Sequence, residues 1–129
     1  MIPEKVKYKI THKTEDVLAA NRFLKRNKVE SVVGEHLIMA KQGNKIRGVF
    51  SLHPHWREFG SIVVGPLYAD SHIVALRLAE VMENALFEMG IKTYLCYTHD
   101  EKFSKILPRL GFVEYAKDNQ GHPWFRRDL

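Results

Sequence analysis

The stretch VVGPLYADSHIVALRLAEVMENAL, residues 63–86, decides how this chain folds. It opens on VVGPLYA, an almost unbroken apolar run of the kind found in strands buried on both faces. After Asp70 and Ser71, apolar residues recur at Ala75, Leu78, Ala79, Met82, Ala85, Leu86 and Met89 with i, i+3, i+4, i+7 spacing, while Arg77, Glu80, Glu83, Asn84 and Glu88 take other faces. This predicts a helix over residues 71–89, stopped by Gly90. A strand that empties straight onto a helix N-terminus presents unpaired N–H groups, which is a common way to hold a phosphate.

Working outward, IKTYLCYT is a second buried strand, so the middle of the chain reads strand–helix–strand and predicts a right-handed parallel crossover. Upstream, HLIMAKQ and KIRGVFSL flank Gly43 and Asn44 as a hairpin, and VKYKI alternates as an opening strand. Between them Thr14 is expected to cap a helix with Glu15 and Asp16 in its first turn and Lys25 and Arg26 in its last. VESVVGE stays open between a short helix and a loop. Downstream, residues 101–110 form a short amphipathic segment with Phe103, Ile106, Leu107 and Leu110 inward, and FVEYAKD and PWFRR make a closing hairpin around Asn119, Gln120 and Gly121. The expectation is one α/β (α+β) domain over residues 1–129, a mixed, mostly antiparallel twisted sheet with helices on both faces.

Composition agrees. With 129 residues and 45% hydrophobic content the chain can bury one core and is too short for two ordinary domains. No run approaches the ~18 apolar residues of a membrane helix, and MIPEKVKYKI lacks the apolar block of a signal peptide, so a cytoplasmic protein is expected. The single cysteine, Cys96, excludes an internal disulfide and a thiolate zinc cluster and reads as a buried thiol. The net charge of +5 is spread over the first strand (Lys5, Lys7, Lys9, Lys13), the end of the first helix and the tail, so nucleic acid is not the expected partner.

The element order and the second half of the chain resemble the GNAT family of acetyl-CoA-dependent N-acyltransferases. VVGPLYAD resembles that family's fourth strand and its V-x-P-x-Y turn. AEVMENALFEMGIKTYLCYT resembles the following helix and fifth strand, and DEKFSKILPRLGFVEY resembles the closing motif ending in Leu110, Gly111 and Phe112. The resemblance implies that strands four and five splay, leaving backbone groups of Ile62, Val63 and Val64 to pair with the pantetheine arm of acetyl-CoA. It also implies that the pyrophosphate sits on N–H groups of Ser71, His72 and Ile73. Asp100 stands where the family often has a helix-starting asparagine that touches the cofactor. The sequence departs from the pattern in YADSHIVA, which lacks the Arg or Gln and the glycines of the usual phosphate loop, and where Asp70 brings a carboxylate. It departs again at Leu107, where many members carry a proton-donating tyrosine, and at Pro108, inside the expected helix. Short GNAT-like proteins of tailed phages have a similarly reduced loop.

What this implies is transfer of an acetyl group to an amine acceptor in a bacterial or phage-infected cell. The alternative is a non-catalytic GNAT-fold module, binding a protein partner or a second copy of itself through the open edge of the terminal hairpin. Acyl transfer to an amine needs a base for the ammonium proton and an acid for the departing thiolate. His53, His55, Glu58 and His99 are base candidates, each also readable as a solvated loop residue, and His55 and Glu58 are the preferred pair. Tyr68 and Tyr97 close the two buried strands, and Tyr97 is the preferred acid. Trp56 and Trp124 read as core edges or as one wall of an acceptor pocket. No metal is expected, because His53 and His55 lack a third ligand at a usable spacing.

Overall fold

A computed structural model describes residues 5–29, 36–54, 62–97, 104–105, 107–121 and 123–129. The elements are β1 (Val6–Thr11), α1 (Thr14–Arg26), β2 (His36–Gln42), β3 (Lys45–Pro54), β4 (Ile62–Ala69), α2 (His72–Glu88), β5 (Thr93–Tyr97), a 3-10 turn (Leu107–Leu110), β6 (Val113–Lys117) and β7 (Pro123–Asp128). The strands form one seven-stranded sheet in the order β1-β2-β3-β4-β5-β7-β6. Only β4 and β5 run parallel; every other neighbouring pair is antiparallel. This is the expected mixed sheet with its central crossover.

Strand alternation sorts the side chains into two layers. Leu37, Met39 and Val49 bury themselves with Ala20, Phe23 and Leu24 of α1. Ile38, Ala40, Phe50, Leu52 and Val64 face the other way, against Val74, Leu78, Met82 and Leu86 of α2. The helices therefore cover opposite faces, as the period-2 pattern requires. The register also brings Ala40, Gly48 and Ala69 side by side across β2, β3 and β4. That row of small residues lets α2 approach closely: a Cβ built on Gly48 would lie 2.7 Å from Leu78 Cδ1.

Both helices stop by the same device. At the end of α2 the Gly90 N–H donates to the Phe87 carbonyl at 3.0 Å and the Ile91 N–H to the Leu86 carbonyl at 2.9 Å, with Gly90 at φ 81°. At the end of α1 the Lys28 N–H reaches Lys25 and the Val29 N–H reaches Leu24 at 2.9 Å, but the left-handed position is held by Lys28 at φ 61°. This is the Schellman arrangement, once with glycine and once without.

Two local expectations are corrected. Thr14 is the first residue of α1 rather than its cap; Lys13 takes the cap position and makes no side-chain cap bond. Thr11 does that work from the end of β1: its hydroxyl accepts from the Lys13 N–H at 3.2 Å and donates to Asp16 Oδ2 at 2.6 Å. Pro108 interrupts nothing, because the described part of that segment is the 3-10 turn, where proline's missing N–H goes unused. The VESVVGE stretch beyond Val29 lies outside the described residues.

Candidate functional site

The site grows out of one irregularity in β4. Along β3 and β4, Phe50 pairs with Leu67 and Leu52 with Val64, so two steps on β3 match three on β4. The extra residue is a β-bulge at Gly65 and Pro66, and Gly65 has φ 154°, which favours glycine. The bulge has a consequence for packing. Val64 and Leu67, an odd number of residues apart, both pack into the α2-side core instead of pointing to opposite faces.

The bulge also ends the pairing with β5. Ile62, Val63 and Val64 pair in parallel with Tyr94, Leu95 and Cys96, and the β4 ladder on that side stops there. The strands then part: β5 continues on β7, Cys96 opposite Phe125 and Tyr97 opposite Trp124, while residues 65–69 keep only β3. This corrects the expectation for Ile62, Val63 and Val64. Their backbone belongs to the closed part of the ladder, and the open edge begins one residue later, at Gly65. A bulge bends its strand and raises its twist, which is why the parting falls there.

Below the fork, on the α2 side, lies a cavity of about 230 Å³. Val64 and Leu67 of β4, Ala75 of α2, Cys96 of β5, and Leu107 and Leu110 of the 3-10 turn line it. Burial in this apolar setting pushes the Cys96 thiol up to about 12, so it is a core group and not a nucleophile.

The N-terminus of α2 opens onto the same cavity through His72. Ser71 is the cap, its Oγ accepting from the Val74 N–H at 3.2 Å. His72 and Ile73 occupy the first turn, where a helix has no internal acceptor for their N–H groups, and that turn carries no acidic residue. Asp70, one residue before the cap, is drawn back to the sheet. Its carboxylate accepts from Arg47 Nε and its N–H donates to the Arg47 carbonyl at 2.9 Å, while Arg47 also donates to Gln42 Oε1 at 2.7 Å. The charge that YADSHIVA brings is neutralised by β3 rather than aimed along the helix axis.

Behind the cavity stands a polar cluster that sequence reasoning missed. Tyr94 is 1% exposed and its hydroxyl donates to Glu83 Oε2 at 2.6 Å; Arg127 Nε donates to the same oxygen at 3.1 Å. Phe112 meets the Tyr94 ring edge-on with centroids 5.7 Å apart, and the Arg127 guanidinium lies over the Phe112 ring. Burial, with the Glu83 hydrogen bond and charge, pushes the Tyr94 phenol well above its ordinary range; the bond to Glu83 likewise raises Arg127. Glu83, read as a solvent-facing helix residue, thus joins α2 to β5 and β7. Its only sequence signal was a carboxylate on the flank of the apolar stripe.

The remaining candidates divide. Tyr97 is the last residue of β5, at the fork. His55, Glu58 and Asp100 lie outside the described residues, as do Trp56 and His99. Tyr68 packs on the α1 face with its ring centroid 5.7 Å from that of Phe23, away from the cavity. Leu107 is 2% exposed in the cavity wall, so no hydroxyl stands there. Among the described residues no cluster of His, Cys, Asp and Glu could hold a metal ion, and no helix is long and apolar enough to cross a membrane.

No protein-family profile and no curated protein sequence matches the chain. Solved structures do. An acetyltransferase assigned to the GNAT family from Desulfovibrio desulfuricans superposes with TM-score 0.77 at 13% identity, over 96% of this chain and 99% of its own. An acyl-CoA N-acyltransferase from Pseudomonas aeruginosa gives TM-score 0.74 at 17% identity over 95% and 99%. N-acetylglutamate synthase from Neisseria gonorrhoeae, solved with coenzyme A and N-acetyl-glutamate, gives 0.69 at 12% identity over 98% of this chain and 36% of its own. The chain has the GNAT fold.

Proposed function

We propose that this GNAT-fold chain is an acyl-CoA-dependent N-acyltransferase moving an acetyl group to an amine acceptor. One observation carries the reading: the open edge of β4, the apolar cavity and the N-terminus of α2 meet at one place. Each suits one part of a coenzyme A thioester. The backbone at residues 65–67 offers an unpaired edge for the pantetheine amides, since buried N–H and C=O groups need partners. The cavity takes apolar atoms, and Ser71, His72 and Ile73 offer N–H groups and the positive end of the helix dipole to the pyrophosphate. The Arg47 pair with Asp70 removes the obvious electrostatic objection.

Acetyl-CoA, when bound, supplies the activated acyl thioester. The chain's own task is to hold it against the acceptor, keep water out with the apolar wall, and move two protons. Tyr97, closing β5 at the fork, is assigned the donation of a proton to the departing thiolate. His55 and Glu58 are assigned removal of the ammonium proton, and Asp100 contact with the cofactor. Leu107 and the glycine-free phosphate loop support a second reading, a non-catalytic module that keeps the fold and works through a protein partner or a second copy. Val113 and Tyr115, exposed on the edge strand β6, suit such an interface.

Isothermal titration with acetyl-CoA, and separately with free coenzyme A, tests the proposal. Micromolar binding, about −8 kcal/mol, abolished by Ala75→Trp in the cavity wall, is the expected result. No saturation at millimolar cofactor sinks the enzyme reading. Binding to both without turnover of any amine tried leaves the module.

A further inference from the structure

A second surface lies at the far edge of the sheet, independent of the fork. Lys5, Lys7 and Lys9 occupy alternate positions along β1 and its approach, so they share a face, and their side chains repeat at about 6.8 Å. That face is the α1 side, because Lys9 Nζ pairs with Asp16 Oδ1 of α1 at 3.2 Å. The register of β1 on β2 sets Lys7 directly opposite Lys41. These four lysines, with Tyr8, Gly43 and Asn44, line an open groove of about 840 Å³.

Lysines on β1 have an ordinary explanation, since charge on an edge strand discourages sheet-to-sheet pairing. Lys41 does not. It sits on β2, inside the sheet between β1 and β3, and like charges directly opposite on neighbouring strands destabilise the pair. Asp16 answers Lys9, but among the described residues no carboxylate pairs with Lys5, Lys7 or Lys41. A local cost kept without a local gain marks a surface shaped by something outside the fold.

We propose that this groove binds the phosphate backbone of a single-stranded nucleic acid, without reading its bases. The donors are all lysines, point charges suited to phosphate, and no arginine offers the planar fork that favours carboxylates. The repeat along β1 suits successive phosphates of an extended strand, and the opposed Lys7 and Lys41 can close on one of them. The Tyr8 ring packs toward the α2-side core, leaving the groove no aromatic platform for bases. The sequence hid this site because Lys41 lies more than thirty residues from the β1 lysines and joins them only through strand pairing.

The test is fluorescence anisotropy of the full chain with a labelled oligothymidylate across a salt series, with oligoglutamate as competitor. The expected result is saturable binding that weakens with salt. Lys7→Gln with Lys41→Gln should lower the log–log salt slope by roughly 1.4, at about 0.7 per phosphate contact on a single strand. Lys7→Arg with Lys41→Arg should retain binding, and Lys25→Gln with Lys92→Gln should leave it unchanged. Three results would each overturn the proposal: absence of saturation at low salt, an equal loss in the Lys25 and Lys92 variant, or displacement by oligoglutamate at lower concentration than by unlabelled oligonucleotide. The last would assign the groove to an acidic protein.

Discussion

Replacing Tyr94 with phenylalanine removes one oxygen from a site where nothing else changes, and the structure sets the size of the effect. The Tyr94 hydroxyl donates to Glu83 at 2.6 Å from a ring that is 1% exposed. A hydrogen bond to a charged group contributes about 1.5–3 kcal/mol, and because Glu83 keeps Arg127, the lower half of that range applies. Tyr94→Phe should therefore cost about 1.5–2 kcal/mol, or roughly 5–8 °C in Tm for a domain of this size. The pH dependence is more diagnostic. The folded phenol has its pKa raised above the unfolded value near ~10, so its contribution is complete below that pH and is lost as pH rises. By pH 11 the wild-type protein should have lost about 1.4 kcal/mol that the variant never had, and the gap between them should narrow by that amount. Cys96, pushed up to about 12, weakens both proteins alike and cancels in the difference. Urea unfolding of the pair at pH 8 and at pH 11 is the assay. A gap that stays constant with pH would refute the burial of this phenol against a carboxylate.

Other expectations follow from single contacts. Lys28→Gly, at the left-handed position ending α1, should stabilise the protein by about 1 kcal/mol in urea unfolding, since a non-glycine residue there carries that strain. Gly48→Ala should destabilise by about 1–3 kcal/mol by pressing on Leu78, and pairing it with Leu78→Val should recover part of the loss in a double-mutant cycle. Ser71→Ala should cost about 1 kcal/mol of stability through loss of the α2 cap and, if the helix N-terminus holds the pyrophosphate, weaken coenzyme A binding measured by titration.

What was legible followed from periodicity. The stripe from Ala75 to Met89, the hairpins around Gly43 and Asn44 and around Gly121, and the parallel crossover were readable because apolar spacing and turn chemistry act over a few residues. The cap of α1 was misplaced because Thr11, not Thr14, satisfies it from outside the helix, and a side chain reaching back from a strand has no fixed sequence offset. The open edge was placed at Ile62, Val63 and Val64 and not at Gly65 because the fork depends on where the bulge falls in the β3–β4 register.

The sequence by itself determined the order of elements, the two apolar faces and the presence of a strand running into a helix N-terminus, all of them consequences of local backbone preference and of burying apolar surface. Tertiary structure alone decided which charges meet. Asp70 turns to Arg47, Glu83 to Tyr94 and Arg127, and Lys41 to the lysines of β1, through partners up to 44 residues apart. Electrostatic and hydrogen-bond energies depend on distance in space, and only strand register converts positions in a chain into that distance.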